Sequence, residues 1–242
     1  MMTTQFHETG GQRIAYRHNA GSGPAVIFLP GYMSDMAGGK ATAVFDRCVE
    51  QGRECLLLDY SGCGESDGDF ADGSLSQWRD EVLSLIDAKV TSDKVLIIGS
   101  SMGGWLMLLV GMALGERLHA LIGIASAPDF SDWGFTDTQK ESLRAGTTIY
   151  RENNYGYDPT PTHALFWKDA EANRLLDGAI GIDAPVRLIH GQDDTDVPPE
   201  TSLRLARALT STDVQVTLIK GGDHRLSREG DIALLLQTME IL

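Results

Sequence analysis

Six short apolar runs, separated by longer amphipathic segments, constrain this chain more than any other feature of its sequence. They are AVIFLP (25–30), ECLLLDY (54–60), KVLIIG (94–99), ALIGIAS (120–126), VRLIH (186–190) and VQVTLIK (214–220). Most are continuous in aliphatic residues instead of alternating with polar ones. Strands read this way when helices cover both faces of a parallel sheet. The intervening stretches 38–51, 75–89, 102–116, 200–210 and 229–241 carry helical spacing, and QFHE with RIAYRH reads as an antiparallel hairpin at the start. The repeated strand-helix rhythm predicts a mostly parallel sheet of about eight strands flanked by helices. A length of 242 residues suits one such domain with a substantial core.

The rhythm breaks once. From Pro128 to Ile182 no strand is expected, and Trp133, Phe135, Tyr150, Tyr155, Tyr157, Phe166 and Trp167 gather there. A structureless stretch of that length is rare inside a compact domain. A small, mainly helical insertion is therefore expected over 129–181, acting as a lid on a core made of 1–128 and 182–242. Trp133, Phe166 and Trp167 are its candidates for lining a substrate pocket.

Charge and composition remove several functional classes. Twenty Lys and Arg against 34 Asp and Glu give a net charge of −14, which repels phosphate backbones and argues against a nucleic-acid partner. No apolar run approaches the ~20 residues of a membrane span. Cys48, Cys55 and Cys63 are odd in number and lack CxxC spacing, so neither a disulfide framework nor a metal site is expected. The opening MMTTQFHETGGQRIAYRHN has neither the apolar core of a secretory signal nor the composition of a transit peptide. A cytoplasmic location is the expectation that follows.

The chemistry is concentrated in IIGSSMGGW (97–105). Gly99, Ser101 and Gly103 form Gly-x-Ser-x-Gly between a strand and a helix, the setting of a nucleophile elbow, in which a sharp turn lifts the serine above the sheet edge. Ser101 has that position and Ser100 does not. A serine hydroxyl needs a base that is itself oriented by a carboxylate. His224 follows the last strand, where a loop can return its imidazole to Ser101. His7, His18, His119 and His163 fit this geometry worse, and His190, preceding Gly191, reads as a structural residue of its turn. HGQDDTDVPP offers Asp193, Asp194 and Asp196. In α/β hydrolases this turn commonly reads Gly-x-x-Asp-x-x-Val-Pro, which favours Asp194 over Asp196 and leaves Asp193 to solvent. The order Ser101, Asp194, His224 is that of the α/β-hydrolase fold. The backbone N–H of Met102, and that of Tyr32 in PGYMSD, are the candidate oxyanion donors. Gly62 and Gly64 begin a pattern like a dinucleotide loop, but Asp67 stands where its third glycine belongs. DYSGCGESDG instead resembles an α/β-hydrolase turn that tightens a strand exit, and it is assigned no catalysis.

GYMSDMAGGKA, DYSGCGESDGDF, GSSMGGWLML, LIHGQDDTDVP and STDVQVTLIKGGDHR together resemble the mitochondrial abhydrolase-domain palmitoyl-protein thioesterase and acyl-glucuronide esterase family. The resemblance spans most of the chain outside the insertion. It implies an α/β-hydrolase fold, a serine hydrolase of carboxylic esters or thioesters, and the triad Ser101, Asp194 and His224. It also implies a small-molecule ester or thioester substrate, or an S-acylated protein, and no cofactor or metal. The other function class open to this fold is a ligand-binding receptor with little turnover.

The elbow generates a test. Ser101→Ala is expected to abolish ester turnover in a folded protein while Ser100→Ala retains it, measured on purified variants with a nitrophenyl ester. In an unrelated serine protease, loss of the nucleophile costs on the order of a million-fold in kcat.

Overall fold

The computed structural model describes residues 3–152 and 158–242. Its main sheet is built from β1 (Gln5–Thr9), β2 (Gln12–Asn19), β3 (Ser22–Leu29), β4 (Arg53–Leu58), β5 (Val95–Ser100), β6 (Leu118–Ile124), β9 (Val186–Gly191) and β10 (Val214–Ile219). These eight strands lie in the order β1-β2-β4-β3-β5-β6-β9-β10. β1 pairs antiparallel with β2, and β2 antiparallel with β4, while every other pairing is parallel. This is the mostly parallel, helix-flanked sheet that the apolar runs predict, in the α/β-hydrolase fold expected from the elbow and the order of Ser101, Asp194 and His224. All six runs become strands, and QFHE with RIAYRH forms the hairpin.

Apolar runs with no polar alternation are explained by what lies on either side. Along β3, Ala25, Ile27 and Leu29 face one layer while Val26 and Phe28 face the other, and all five are buried. One layer holds α2 (Leu75–Lys89), α3 (Met102–Leu114) and the insertion, around Trp78, Trp105, Phe130 and Phe166. The opposite layer holds α1 (Gly39–Gln51) and α8 (Glu229–Glu240), around Val44, Phe45, Leu235 and Met239. Helix α7 (Glu200–Ala208) follows β9. The first ten residues of α3 are all buried, because it lies between the sheet and the insertion. Among the described residues no helix is long and apolar enough to cross a membrane.

The strand order also positions the site. From β3 the chain moves to β4 on one side, then crosses back to place β5 on the other side of β3. Where winding reverses, the loops leaving two adjacent strands diverge and open a crevice at their carboxyl ends. The loops after β3 and β5 are those carrying Tyr32 and Ser101.

The insertion departs from expectation in one respect. It contains α4 (Phe130–Trp133), α5 (Asp137–Arg144) and α6 (Ala164–Ala172), as a mainly helical segment should, but also a small antiparallel pair, β7 (Ile149–Arg151) with β8 (Thr160–Thr162). Three-residue strands are too short for a period-2 pattern to register in the sequence, and Pro161 masks the second one. Tyr155 and Tyr157 lie outside the described residues. The three cysteines are free and buried, and burial pushes the Cys63 thiol up to about 12, so it remains a neutral packing group.

Asp129 ties the two ends of the insertion together. It is 2 % exposed and its carboxylate accepts from the amides of Leu175 (2.8 Å) and Leu176 (2.7 Å), across a gap of over forty residues. Removing it leaves two amides without their acceptor. Asp129→Ala is expected to lower stability by about 2–4 kcal/mol in urea unfolding, with an unchanged elbow.

Candidate active site

The nucleophile turn is shaped by close backbone approach. β5 ends at Ser100, α3 starts at Met102, and Ser101 between them has φ 55° and ψ −119°. A non-glycine residue held in such a conformation costs about 1–3 kcal/mol and persists only where its surroundings enforce it. Here the Ser101 amide donates to the Ile124 carbonyl at 2.9 Å, and the Ser101 carbonyl accepts from the Ala127 amide at 3.0 Å. The two flanking glycines are required sterically. A Cβ on Gly103 would lie 2.2 Å from the Leu29 carbonyl oxygen, and one on Gly99 would lie 2.3 Å from that of Gly103.

Two later loops bring in the base and the acid. After β10, the loop containing Asp223 and His224 meets the loop that leaves β9. The Gln192 amide donates to Ile219 and the Asp193 amide to Gly222, each at 2.9 Å. His224 Nε2 then accepts from the Ser101 hydroxyl at 3.0 Å, and His224 Nδ1 donates to Asp194 Oδ2 at 2.8 Å. Asp194 is buried, and its other oxygen, Oδ1, accepts from the amides of Asp196 (2.9 Å) and Val197 (2.8 Å). Burial alone would push this carboxyl up. The hydrogen bonds from His190 and His224, the charge interaction with His224 and the Val197 amide outweigh it and hold Asp194 well below the usual carboxylate range.

The structure brings Ser101, Asp194 and His224 together from three separate loops. Asp196 lies close by, with a carboxylate oxygen within 4.8 Å of a carboxylate oxygen of Asp194 and a ring nitrogen of His224, but its side chain is exposed and its backbone amide is what bonds to Asp194. Asp193 is exposed. His7 is hydrogen-bonded to Ser84, His18 to Glu54 and His163 to Thr148, whereas His224 makes the hydrogen bond to the Ser101 hydroxyl.

Met102 is the first residue of α3, where helix geometry leaves amides without an intrahelical acceptor. The Tyr32 loop presses on the same spot, since a Cβ on Gly31 would stand 3.4 Å from Ser101 Cβ and 3.3 Å from the Ser100 carbonyl oxygen. This loop is pinned by residues of DYSGCGESDG. Tyr60 donates its hydroxyl to the Pro30 carbonyl at 3.0 Å, and Asp59 accepts from the Met36 amide at 2.7 Å and from the Glu65 amide at 2.9 Å. The stretch read as a strand-exit turn is thus also the brace of the Tyr32 loop.

The three aromatic pocket candidates separate. Phe166 is 1 % exposed and meets the Tyr32 ring edge-on at 4.9 Å between centroids, beside Phe70, which also meets Tyr32 at 4.9 Å. Trp167 and Trp133 donate their indole N–H groups to backbone carbonyls in and at the start of the insertion, those of Ser131 (2.9 Å) and Pro128 (2.8 Å). Phe70 and Phe130, the latter 6.0 Å from Tyr32, join the cluster without having been singled out by sequence. His190 also belongs to the site. Its contact with Asp194 was hidden because a histidine before a strand-ending glycine carries no sign of which way its ring turns.

The prolyl oligopeptidase family model matches residues 67–239 of this chain. Mouse mitochondrial palmitoyl-protein thioesterase ABHD10 is 42% identical over 235 residues, covering 95% of this chain and 78% of the relative. The solved structure of mouse α/β hydrolase domain-containing protein 10 superposes with a TM-score of 0.90 at 37% identity, covering 98% of this chain and 97% of that one. A hydrolase from Agrobacterium vitis S4 superposes with a TM-score of 0.91 at 32% identity, covering 100% and 98%. These relatives are named as a thioesterase and a hydrolase, so the receptor reading gives way to that of an enzyme. The expectation of a cytoplasmic location is overturned, because the ABHD10 relatives from five mammals are named as mitochondrial proteins. The composition of an N-terminal stretch was too weak a basis for it.

The two aspartates can be told apart by kinetics. Asp194→Asn is expected to lower kcat by about 10⁴, as loss of a triad carboxylate does elsewhere, whereas Asp196→Asn stays within about tenfold of the parent because its backbone amide survives. Identity over nearly the whole chain and superposition over nearly the whole fold agree that this chain belongs to the α/β-hydrolase superfamily, as a serine hydrolase closely related to the ABHD10 palmitoyl-protein thioesterase family.

Proposed function

We propose that this esterase-type serine hydrolase cleaves carboxylic esters or thioesters of acyl chains through Ser101, His224 and Asp194. The observation that carries the proposal is the continuous hydrogen-bond path from Ser101 Oγ through His224 to Asp194, at 3.0 and 2.8 Å. Ser101 Oγ attacks the acyl carbonyl carbon while its proton passes to His224 Nε2. Asp194 holds the Nδ1–H tautomer and stabilises the imidazolium. The amides of Met102 and Tyr32 receive the developing oxyanion. As the tetrahedral intermediate collapses, the bond to the leaving oxygen or sulfur breaks and that atom takes the proton from His224. Water then adds to the acyl-enzyme, giving its proton to His224, and as the bond from the acyl carbon to Ser101 Oγ breaks, His224 returns that proton to Oγ, releasing the acid and restoring the Ser101 hydroxyl.

The name of the mouse relative, palmitoyl-protein thioesterase, favours a long acyl group and a thioester, with an S-acylated protein as one source of it. Acyl glucuronides share the same reacting carbonyl and form the oxyester arm of the proposal. Residues 129–181 are taken as the lid of a core formed by 1–128 and 182–242. The wall of Tyr32, Phe70, Phe130 and Phe166 supplies an apolar surface beside the nucleophile loop.

The test is a panel of oxyesters, thioesters and acyl glucuronides of graded acyl length. Each added methylene buried against such a wall contributes about 0.8 kcal/mol, so kcat/KM is expected to rise about threefold to fourfold per carbon until the pocket is full. Phe166→Ala should flatten this slope, while Trp133→Ala and Trp167→Ala lower the melting temperature and leave the slope parallel to that of the parent. A flat slope in the parent enzyme would overturn the acyl-chain reading.

A further inference from the structure

His190 is a fully buried imidazole near the end of β9, 0 % exposed, directly after the buried aliphatic residues Leu188 and Ile189. Burying a polar ring there is unfavourable unless both nitrogens are satisfied. Both are. Nδ1 lies 2.7 Å from the Ser202 hydroxyl on α7, and Nε2 lies 3.1 Å from Asp194 Oδ2 and 3.0 Å from the Val197 carbonyl oxygen. The carbonyl can only accept, so Nε2 carries the proton and shares it between Val197 and Asp194, while Nδ1 accepts from Ser202.

The Asp194 carboxylate therefore receives four N–H donors: the amides of Asp196 and Val197 on Oδ1, and the rings of His224 and His190 on Oδ2. His224 and His190 converge on the same oxygen. The two amides position one end of the carboxylate. Only His190, held in turn by Ser202, restrains Oδ2 from a side other than that of the base.

We propose that His190 is a positioning residue of the triad, which fixes Asp194 Oδ2 toward His224 and takes up part of its negative charge. This rests on the triad reading given above. Its consequence is a division of one oxygen's hydrogen-bonding capacity. With His190 in place, Oδ2 orients His224 without binding the imidazolium so tightly that proton return to the leaving group is impeded. With His190 gone, Oδ2 has one donor fewer, interacts more strongly with protonated His224, and is free to swing. Besides Asp194, the ionisable groups facing this pair are His224, which shares Oδ2, and Asp196 in the same loop, and the charge of Asp196 acts in turn on Arg151 of β7. None of them changes in the experiment.

The experiment measures kcat/KM against pH for the parent, His190→Leu, His190→Gln and Ser202→Ala with a soluble nitrophenyl ester, alongside melting temperatures and Asp194→Asn. His190→Leu removes the donor, whereas the glutamine amide can restore an N–H at the position of Nε2. The expected result is a loss of about tenfold to a hundredfold in kcat/KM for His190→Leu, with the midpoint of its rising limb moved to higher pH. His190→Gln should recover most of both. Ser202→Ala, which loosens the ring without removing it, should move the midpoint in the same direction by less, and it carries the test if His190→Leu does not fold. An unmoved midpoint in the folded variants, or a His190→Gln no closer to the parent than His190→Leu, would show His190 to be a packing residue only. An active Asp194→Asn would instead bring down the triad reading, and this inference with it.

Discussion

The contact between Gly103 and β3 is the constraint on which the rest of the structure depends. Helix α3 crosses the end of β3 with no room for a side chain, the Gly103 backbone standing where a Cβ would meet the Leu29 and Pro30 carbonyl oxygens at 2.2 and 2.4 Å. That closeness forces the sharp exit from β5 and places Ser101 in its uncommon backbone conformation. It also brings the loop after β3 against the nucleophile, with Gly31 beside Ser101. A larger residue at Gly103 would separate helix from strand, and the serine, the helix N-terminus and the Tyr32 loop would move apart together.

The rest of the site is built by keeping one carboxylate charged in a largely buried setting. The protein as a whole is strongly acidic, at −14, so Asp194 gains nothing from its surroundings at long range. It is stabilised locally by four N–H donors, two from its own turn and two from histidines on either side. Their geometry is maintained by backbone bonds between the loops after β9 and β10. The adjacency of those two strands in the sheet is what makes an Asp and a His thirty residues apart into neighbours.

The insertion contributes shape more than chemistry. Asp129 anchors its two ends, and Phe130 and Phe166 stack on one another with centroids 5.8 Å apart while both contact the Tyr32 ring. The insertion and the Tyr32 loop therefore share one aromatic cluster. Burial of the Tyr32 hydroxyl raises it well above its ordinary range, so the ring acts as a neutral wall. The insertion is thus packed against the loop that borders the nucleophile.

Strand runs, the elbow and the order of Ser101, Asp194 and His224 were legible in the sequence because each depends on local pattern: continuous aliphatic strands, glycines where a turn is crowded, and loops at strand ends. The short β7–β8 pair was not, since three residues carry no period. Nor did the sequence separate Phe166 from Trp133 and Trp167, as all three are large aromatics in one segment and only the packing of α6 decides which faces Tyr32. Asp194 and Asp196 differ by two positions in an acidic turn; the turn pattern already favoured Asp194, and its burial and its bond to His224 agree with that choice. His190 looked like a turn residue, and its ring direction was set by Ser202, Val197 and Asp194, which reach it only once α7 and the β9 loop have folded back. Local sequence determined which residues could do the chemistry. Tertiary structure decided which of them meet, because hydrogen bonds between distant loops depend on strand order and packing that no short stretch encodes.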